Sequence, residues 1–257
     1  MIFITGDCHS DFTKFNTTFF PEQREMIKDD YVIICGDFGG VWDADGETPF
    51  ERYWLDWLDE DKPFTTLFVD GNHENFERLV EYPETEWMGG KIHEIRPSVF
   101  HLMRGEIFTL QGRTFFAFGG AKSHDISDGI LDRKDFNSDK ELFQKINQYN
   151  KDGKLFRVNH MSWWKEEEAS ETEMRNGIKN LEKYNNKVDF IITHCAPKSV
   201  VSLLTYGIQN EKMLDYFETI KDTVKFHRWY FGHYHIDKRT PFDQRFICHY
   251  DGIERIV

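Results

Sequence analysis

The sequence predicts an α/β domain in which two mixed β-sheets are flanked by helices. Three observations lead there. Early apolar runs alternate with helical patterns, as in parallel βαβ units. The centre of the chain is instead rich in strands joined by short turns. Finally, apolar runs repeatedly end in glycine followed by aspartate, asparagine or histidine, the form taken by a site at the carboxyl edge of a sheet. With 257 residues, the chain suits one large domain with a substantial core, and a second full domain would be a squeeze.

In chain order, the first strands are the β-branched and aromatic runs Ile2–Thr5, Tyr31–Cys35 and Thr65–Val69. Between them a helix is expected over Phe50–Leu58, where Phe50, Tyr53, Trp54, Trp57 and Leu58 recur at helical spacing. A short helix follows near Asn75–Glu81. Strands are expected at Lys91–Ile95, Val99–Met103, Glu106–Leu110 and Arg113–Phe118, the last two joined by the hairpin turn Gln111-Gly112. From Gly119 to Trp164 the chain is polar and loop-rich. Such segments in compact domains are usually either functional loops or mobile insertions, and 119–164 is expected to be a lid or cap within a single domain spanning 1–257. Helices Lys165–Tyr184 and Glu211–Lys221 and strands Phe190–Thr193, Trp229–Phe231 and Phe246–Tyr250 complete the plan.

A hydrophobic content of 39% with 16% aromatics describes a folded globule. The formal charge of −13 offers no general basic field for nucleic acid or an anionic membrane. A phosphoester can still bind locally, because divalent cations reverse the sign at a site. Cys8, Cys35, Cys195 and Cys248 form no CxxC pair and are expected as small buried fillers in a reducing compartment. No stretch approaches the ~18 apolar residues of a spanning helix, and no charged leader precedes the first strand. A cytoplasmic location is expected.

Five short segments carry the chemistry: Gly6-Asp7-Cys8-His9, Gly36-Asp37, Gly71-Asn72-His73-Glu74, Thr193-His194 and Gly232-His233-Tyr234-His235. Asp7 and His9 stand two apart at a strand exit, and His233 and His235 repeat that spacing. Asp37, Asn72 and His194 arrive from three further strands. The mixture of carboxylate, amide and imidazole suits two divalent cations among Mn, Fe, Zn, Co and Ni, with Mn favoured. Asp37, on an inner strand, is the natural bridge. Cations held ~3.5–4 Å apart lower the pKa of water between them and orient a phosphoryl group for in-line attack. His73 is better spared from coordination, leaving an imidazole to protonate the departing alkoxide.

The order GD-x-H, GD, GNHE, TH and GH-x-H resembles the calcineurin-like metallophosphoesterase superfamily, from Gly6 to His235. The resemblance implies a four-layer sandwich, two mixed sheets with helices outside. It further implies one metal on Asp7, His9 and His235, a second on Asn72, His194 and His233, a bridging Asp37 and an acid at His73. Two departures bear on the substrate. Ser10 stands where many members have glycine. The protein Ser/Thr phosphatase branch reads GDxxDRG, whereas this chain reads Gly36-Asp37-Phe38-Gly39-Gly40, and Asp70 precedes GNHE where that branch has arginine. The orienting acid, for which Asp43 and Asp45 are the candidate replacements, and two phosphate-clamping arginines are therefore missing, which argues against a phosphoprotein substrate.

The remaining candidates lie mostly in the 119–164 segment. Lys122-Ser123-His124-Asp125 fails as a Walker A loop, because Ala121 stands where glycine is required, but Lys122 and His124 are candidate phosphate contacts. Arg104, Arg133 and His160 are candidate substrate contacts. Trp163-Trp164 suits either a base-stacking platform or, preferably, a staple in the core. His93, His101, His227 and His249 have no evident partners in the sequence and are expected to be structural or exposed. The activity expected is hydrolysis of a small phosphomonoester or phosphodiester of nucleotide type, without an extended nucleic-acid or membrane surface. Its rivals are a protein phosphatase, a nuclease and a non-catalytic phosphate-binding module.

Overall fold

Apolar runs too short to bury themselves alone pair into two sheets that bury one face against each other. This is seen in a computed structural model that describes residues 1–205 and 211–257. The first half supplies β1 (Ile2–Thr5), β2 (Tyr31–Ile34), β3 (Thr65–Phe68), β4 (Glu84–Trp87), β5 (Gly90–Arg96) and β6 (Val99–Leu102). The hairpin β7 (Glu106–Leu110) and β8 (Arg113–Phe118) follows, then the short β9 (Ile130–Leu131) and β10 (Arg157–Val158). The last part supplies β11 (Phe190–Thr193), β12 (Arg228–Phe231), β13 (Lys238–Arg239), β14 (Phe246–Cys248) and β15 (Glu254–Arg255).

One sheet has the order β15-β1-β2-β3-β6-β5-β4 and the other β13-β14-β12-β11-β8-β7. In each, a parallel centre carries antiparallel strands at its margins, β1-β2-β3-β6 in the first and β14-β12-β11-β8 in the second. Alternation along the strands sets the layers. Ile2, Ile4, Ile33 and Leu67 face Phe115, Ala117, Ile192 and Tyr230 between the sheets. Phe3, Val32, Ile34 and Phe68 point outward beneath Phe12, Phe15, Leu55 and Leu58. Each such side chain, wholly buried, stabilises the fold by roughly 1.5–3 kcal/mol.

The helices are α1 (Pro49–Asp56), α2 (Phe76–Leu79), α3 (Asp139–Lys151), α4 (Glu171–Lys183), α5 (Lys198–Thr205) and α6 (Lys212–Thr223). Leu181 of α4, Val200 and Val201 of α5 and Met213, Phe217 and Ile220 of α6 cover the outer face of the second sheet. The result is the four-layer sandwich, with two mixed sheets inside and helices outside. No helix among the described residues is long and apolar enough to cross a membrane.

Several expectations need correcting. The helix after Thr48 is capped by a reciprocal Thr48–Glu51 box, but its buried face is Glu51 and Leu55, while Phe50 and Tyr53 are each 60% exposed. Glu51 is held there by Arg78 Nη1 at 2.7 Å, while Trp54 and Trp57 of the expected stripe pack half-buried against the core and Leu58 is wholly buried. The helix expected over Asn75–Glu81 is only α2, started by Asn75, whose side chain accepts from the Arg78 N–H at 3.1 Å. The single helix expected over Lys165–Tyr184 is broken, because Ser170 and Glu173 form a new capping box and start α4 afresh. Residues 119–164 are not simply loop. They include α3, whose only buried residue is Leu142, and the parallel pair β9–β10. Nor are His93 and His101 unpartnered: they meet at 3.0 Å through Nδ1, and His101 Nε2 lies 3.1 Å from Asp70.

Candidate metal centre

The parallel strands β1, β2, β3, β11 and β12 all end within or just before one of the five segments, and the turns beyond them gather the segments at one edge. These turns are sharp. His9, Asp37, His233 and His235 have φ of 48°, 46°, 68° and 49°, a region non-glycine residues seldom adopt and one that concentrates at functional sites. Two glycines leave room for the carboxylates. A Cβ on Gly71 would overlap the Asp37 carboxylate, and one on Gly232 would overlap that of Asp7.

One group of donors comprises Asp7, His9, Asp37 and His235, with one ligand atom from each lying within 4.8 Å of all the others. His9 Nε2 is 3.1 Å from His235 Nε2, 3.8 Å from Asp7 Oδ2 and 3.6 Å from Asp37 Oδ2. His235 Nε2 is 3.2 Å from Asp7 Oδ2. Beside this group, His194 Nε2 lies 3.3 Å from Asp37 Oδ1 and 3.2 Å from Asn72 Oδ1. The His233 ring packs edge-on at 4.9 Å from that of His194. Asp37 thus turns one oxygen to each group.

The donor set fits cations. His194 Nδ1 donates to the Cys35 carbonyl at 2.7 Å, which orients Nε2 toward Asp37 and Asn72 as an available ligand atom. Burial alone would push the His194 pKa down. The Asp37 and Asp7 carboxylates and the Cys35 carbonyl outweigh it and raise the pKa to about 10, so this spot favours positive charge. Burial works against the Asp37 carboxylate, yet His194, His73 and His9 hold it below the usual carboxylate range. His233 is pushed well below its ordinary value by burial and by His194, which keeps it neutral and able to coordinate. The four cysteines are all buried and free, and burial raises the Cys8 thiol to about 12, so thiolate takes no part.

Neighbouring side chains fix the donors. Asn72 Nδ2 donates to Ser123 Oγ at 3.3 Å, and Ser123 donates through Oγ to Glu167 at 2.6 Å and through N–H at 2.9 Å. That chain leaves Asn72 Oδ1 for His194. The wholly buried Glu74 accepts from Phe38 N–H at 2.7 Å and Gly39 N–H at 3.2 Å, tying the Asp37 turn to the Asn72 turn. Lys14 Nζ donates to the carbonyls of Asp7 at 2.8 Å and Tyr250 at 2.7 Å, and the Tyr250 ring stacks on His235 at 4.6 Å. Ser10, at φ 66°, donates its hydroxyl to the Gly39 carbonyl at 2.6 Å, which accounts for a hydroxyl where glycine is commoner.

His73 donates its backbone N–H to Asp37 Oδ1 at 2.8 Å, and its ring lies edge-on at 5.0 Å from that of His9. Burial pushes its pKa down, Asp37 pushes back, and Arg157 adds to the lowering. Arg157 Nη2 stands 3.4 Å from His73 Nε2. Neither Asp43 nor Asp45 supplies an orienting acid: the Asp43 carboxylate accepts from Thr48 Oγ1 at 3.0 Å, and among the described residues Asp45 has no bond to His73.

The other sequence candidates divide. The His124 ring packs at 4.8 Å on that of His233, beside the centre, and Lys122 is half-buried next to it. Arg133 is instead spent locally on Asp139 and on the Phe136 carbonyl at 2.9 Å. His160 Nδ1 pairs with Glu77 at 2.8 Å. Trp163 is half-buried and Trp164 wholly buried against Trp42, the staple-like alternative. Arg104 is turned into the protein: its side chain is 5% exposed and pairs with Asp70, with Nε at 2.9 Å. The sequence reasoning missed Ser123, Asp125, Arg157 and Glu167. Of these, Ser123 and Asp125 lay inside the segment singled out at Lys122–Asp125, while Arg157 and Glu167 had no motif to mark them.

Against known proteins, the family described as calcineurin-like phosphoesterase matches residues 1–237. Curated relatives include lariat debranching enzyme A of Xenopus laevis, 26% identical over 151 residues, or 54% of this chain and 27% of that protein. The lariat debranching enzyme of Homo sapiens is 28% identical over 149 residues, or 52% and 26% of the two chains. That of Danio rerio is 24% identical over 147 residues, covering 52% and 24%. The match thus spans about a quarter of each relative. With the match running through all five segments, the chain belongs to the calcineurin-like phosphoesterase family, outside its protein Ser/Thr phosphatase branch.

Proposed function

We propose that this chain is a dinuclear metal-dependent phosphoesterase that hydrolyses a small phosphodiester or phosphomonoester of nucleotide type. The observation that carries the reading is the convergence of Asp7, His9, Asp37 and His235 within 4.8 Å, with Asn72, His194 and His233 grouped on the other side of Asp37. In this reading Asp7, His9 and His235 hold one cation, Asn72, His194 and His233 the other, and Asp37 both. Divalent ions there, with manganese favoured among Mn, Fe, Zn, Co and Ni, would supply an activated water and neutralise phosphoryl oxygens.

The chain's own residues do the rest. Asp37 and Asp7, buried and hydrogen-bonded by the backbone N–H groups of His73 and His233, stay fixed while charge moves nearby. His73, tied to Asp37 through its backbone, presents its imidazole to the leaving oxygen and gives it a proton. Lys122 and His124 border the substrate, and residues 119–164 act as its lid. The names of the curated relatives, lariat debranching enzymes, support the diester over the monoester. A net charge of −13 supports a small substrate over an extended polyanion. Four unpaired buried cysteines fit a reducing, cytoplasmic setting.

The test is His73→Ala. Turnover on esters with poor leaving groups is expected to fall about 10²- to 10⁴-fold, with little change on activated aryl esters and with metal content unaltered. Equal loss on both ester types, or loss of metal, would remove His73 from the acid role.

A further inference from the structure

Resting on the phosphoesterase reading, we propose that Arg157 is the phosphate-binding arginine of this centre, and that Asp125 is a built-in carboxylate stand-in which the substrate's phosphoryl group displaces. The sequence lacks the two arginines that clamp phosphate in the protein phosphatase branch, and the fold brings in another from the 119–164 insertion. Arg157 opens β10, where it pairs with Ile130 of β9, and the strand is anchored where the Val158 carbonyl accepts the Ser162 N–H at 2.9 Å. Its guanidinium reaches 84 residues back along the chain to His73, with Nη2 3.4 Å from Nε2. Among the described residues, no other lysine or arginine makes a hydrogen-bond contact with a side chain of the centre.

The other contacts of this guanidinium show what it is built to hold. Nε donates to Asp125 Oδ1 at 3.1 Å and Nη2 to Asp125 Oδ2. This fork onto two oxygens of one planar anion is the geometry in which arginine takes two non-bridging phosphoryl oxygens. Asp125 is 43% exposed, and a carboxylate that open to solvent holds a guanidinium weakly. A phosphoryl group lying between the metal ligands and His73 falls within reach of Nη2. It carries at least as much charge as the carboxylate, and its non-bridging oxygens keep lone pairs that can accept from the same guanidinium. Arg157 therefore changes partner as substrate arrives, while Asp125 swings to water. The acid keeps the arginine pre-oriented until substrate arrives and weakens anion binding to the extent that it competes.

The two residues are predicted to move phosphate binding in opposite directions, which a purely structural ion pair would not do. The experiment is calorimetric titration of inorganic phosphate into manganese-loaded protein, paired with steady-state hydrolysis of bis-p-nitrophenyl phosphate, for wild type, Arg157→Ala, Arg157→Lys and Asp125→Asn. Arg157→Ala should weaken phosphate binding by about 10- to 100-fold, the loss of a charged hydrogen-bond pair, and raise KM more than it lowers kcat. Arg157→Lys should recover part of the loss. Asp125→Asn should tighten phosphate by about two- to fivefold, the strength of an exposed ion pair. Metal content should be wild-type in all four. Unchanged phosphate affinity in Arg157→Ala, weakened affinity in Asp125→Asn, or no phosphate binding by wild type would each overturn the proposal. Because the titration needs no turnover, a wild type that binds phosphate but hydrolyses nothing would sink the phosphoesterase reading while the variants still decide the role of Arg157.

Discussion

Glu167→Gln should change how the protein's stability responds to pH while keeping the support of Asn72. Glu167 is 1% exposed, and its oxygens accept from Ser123 N–H at 2.9 Å and Oγ–H at 2.6 Å. Burial pushes its pKa from 4.5 up to about 7, against the pull of the Ser123 bonds. The folded state thus binds this proton more tightly than the unfolded chain does. The resulting stability is fully present below about pH 4.5 and is lost as the pH rises through about 7. That separation corresponds to about 3 kcal/mol between the two protonation states, of which about 2–3 kcal/mol falls between pH 5 and pH 8. Glutamine has no proton to lose and keeps an oxygen for the Ser123 N–H. Guanidinium unfolding of metal-free protein at several values between pH 5 and 8 should show the variant gaining on wild type by that amount toward the alkaline end. Parallel profiles for the two proteins would refute the reasoning, since Glu167 would then titrate alike folded and unfolded.

Two further predictions separate structural from substrate-binding roles. Arg104→Met leaves the Asp70 carboxylate, 1% exposed, with His101 as its one polar side-chain partner among the described residues. It should cost about 3–5 kcal/mol, a fall in Tm of about 2–4 °C per kcal/mol by calorimetry, and Asp70→Asn in the same chain should restore part of it. A raised KM with unchanged Tm would return Arg104 to the substrate. Trp164→Ala should destabilise by about 3–5 kcal/mol in guanidinium, because the ring is wholly buried, whereas Trp163→Ala should cost less. A KM effect confined to Trp163→Ala would instead favour a base-stacking platform there.

The sheets were legible because a buried strand announces itself locally. Val32-Ile33-Ile34 and Ile191-Ile192 have no polar face to hide, and Gln111-Gly112, at φ 47° and 76°, names its own turn. The donors were legible for a related reason: every strand exit but that of Thr193-His194 carries a ligand next to a glycine, and such a glycine can clear space for the ligand of a neighbouring turn, as Gly71 does for Asp37. What was not legible depends on contacts between distant segments. Whether Phe50 or Glu51 turns inward on α1 is decided by Arg78, 27 residues away from Glu51. α3 hid because a helix with one buried residue, Leu142, has scarcely any apolar stripe. Arg157 and Glu167 carry no motif; Arg157 matters because the 119–164 segment folds back over the centre onto His73, and Glu167 because the chain just beyond that segment returns to Ser123.

If Asp37 holds a pair of cations on which phosphoester hydrolysis depends, metal and turnover should rise and fall together. The most direct test is metal content per chain, by mass spectrometry of the elements, measured beside hydrolysis of bis-p-nitrophenyl phosphate. Both would be followed on stripped and manganese-restored protein, for wild type and Asp37→Asn. The expected result is a pair of ions per wild-type chain, turnover lost on stripping and recovered with manganese, and collapse of both occupancy and turnover in Asp37→Asn. Turnover that survives stripping, or an Asp37→Asn variant that hydrolyses the diester like wild type, would contradict it.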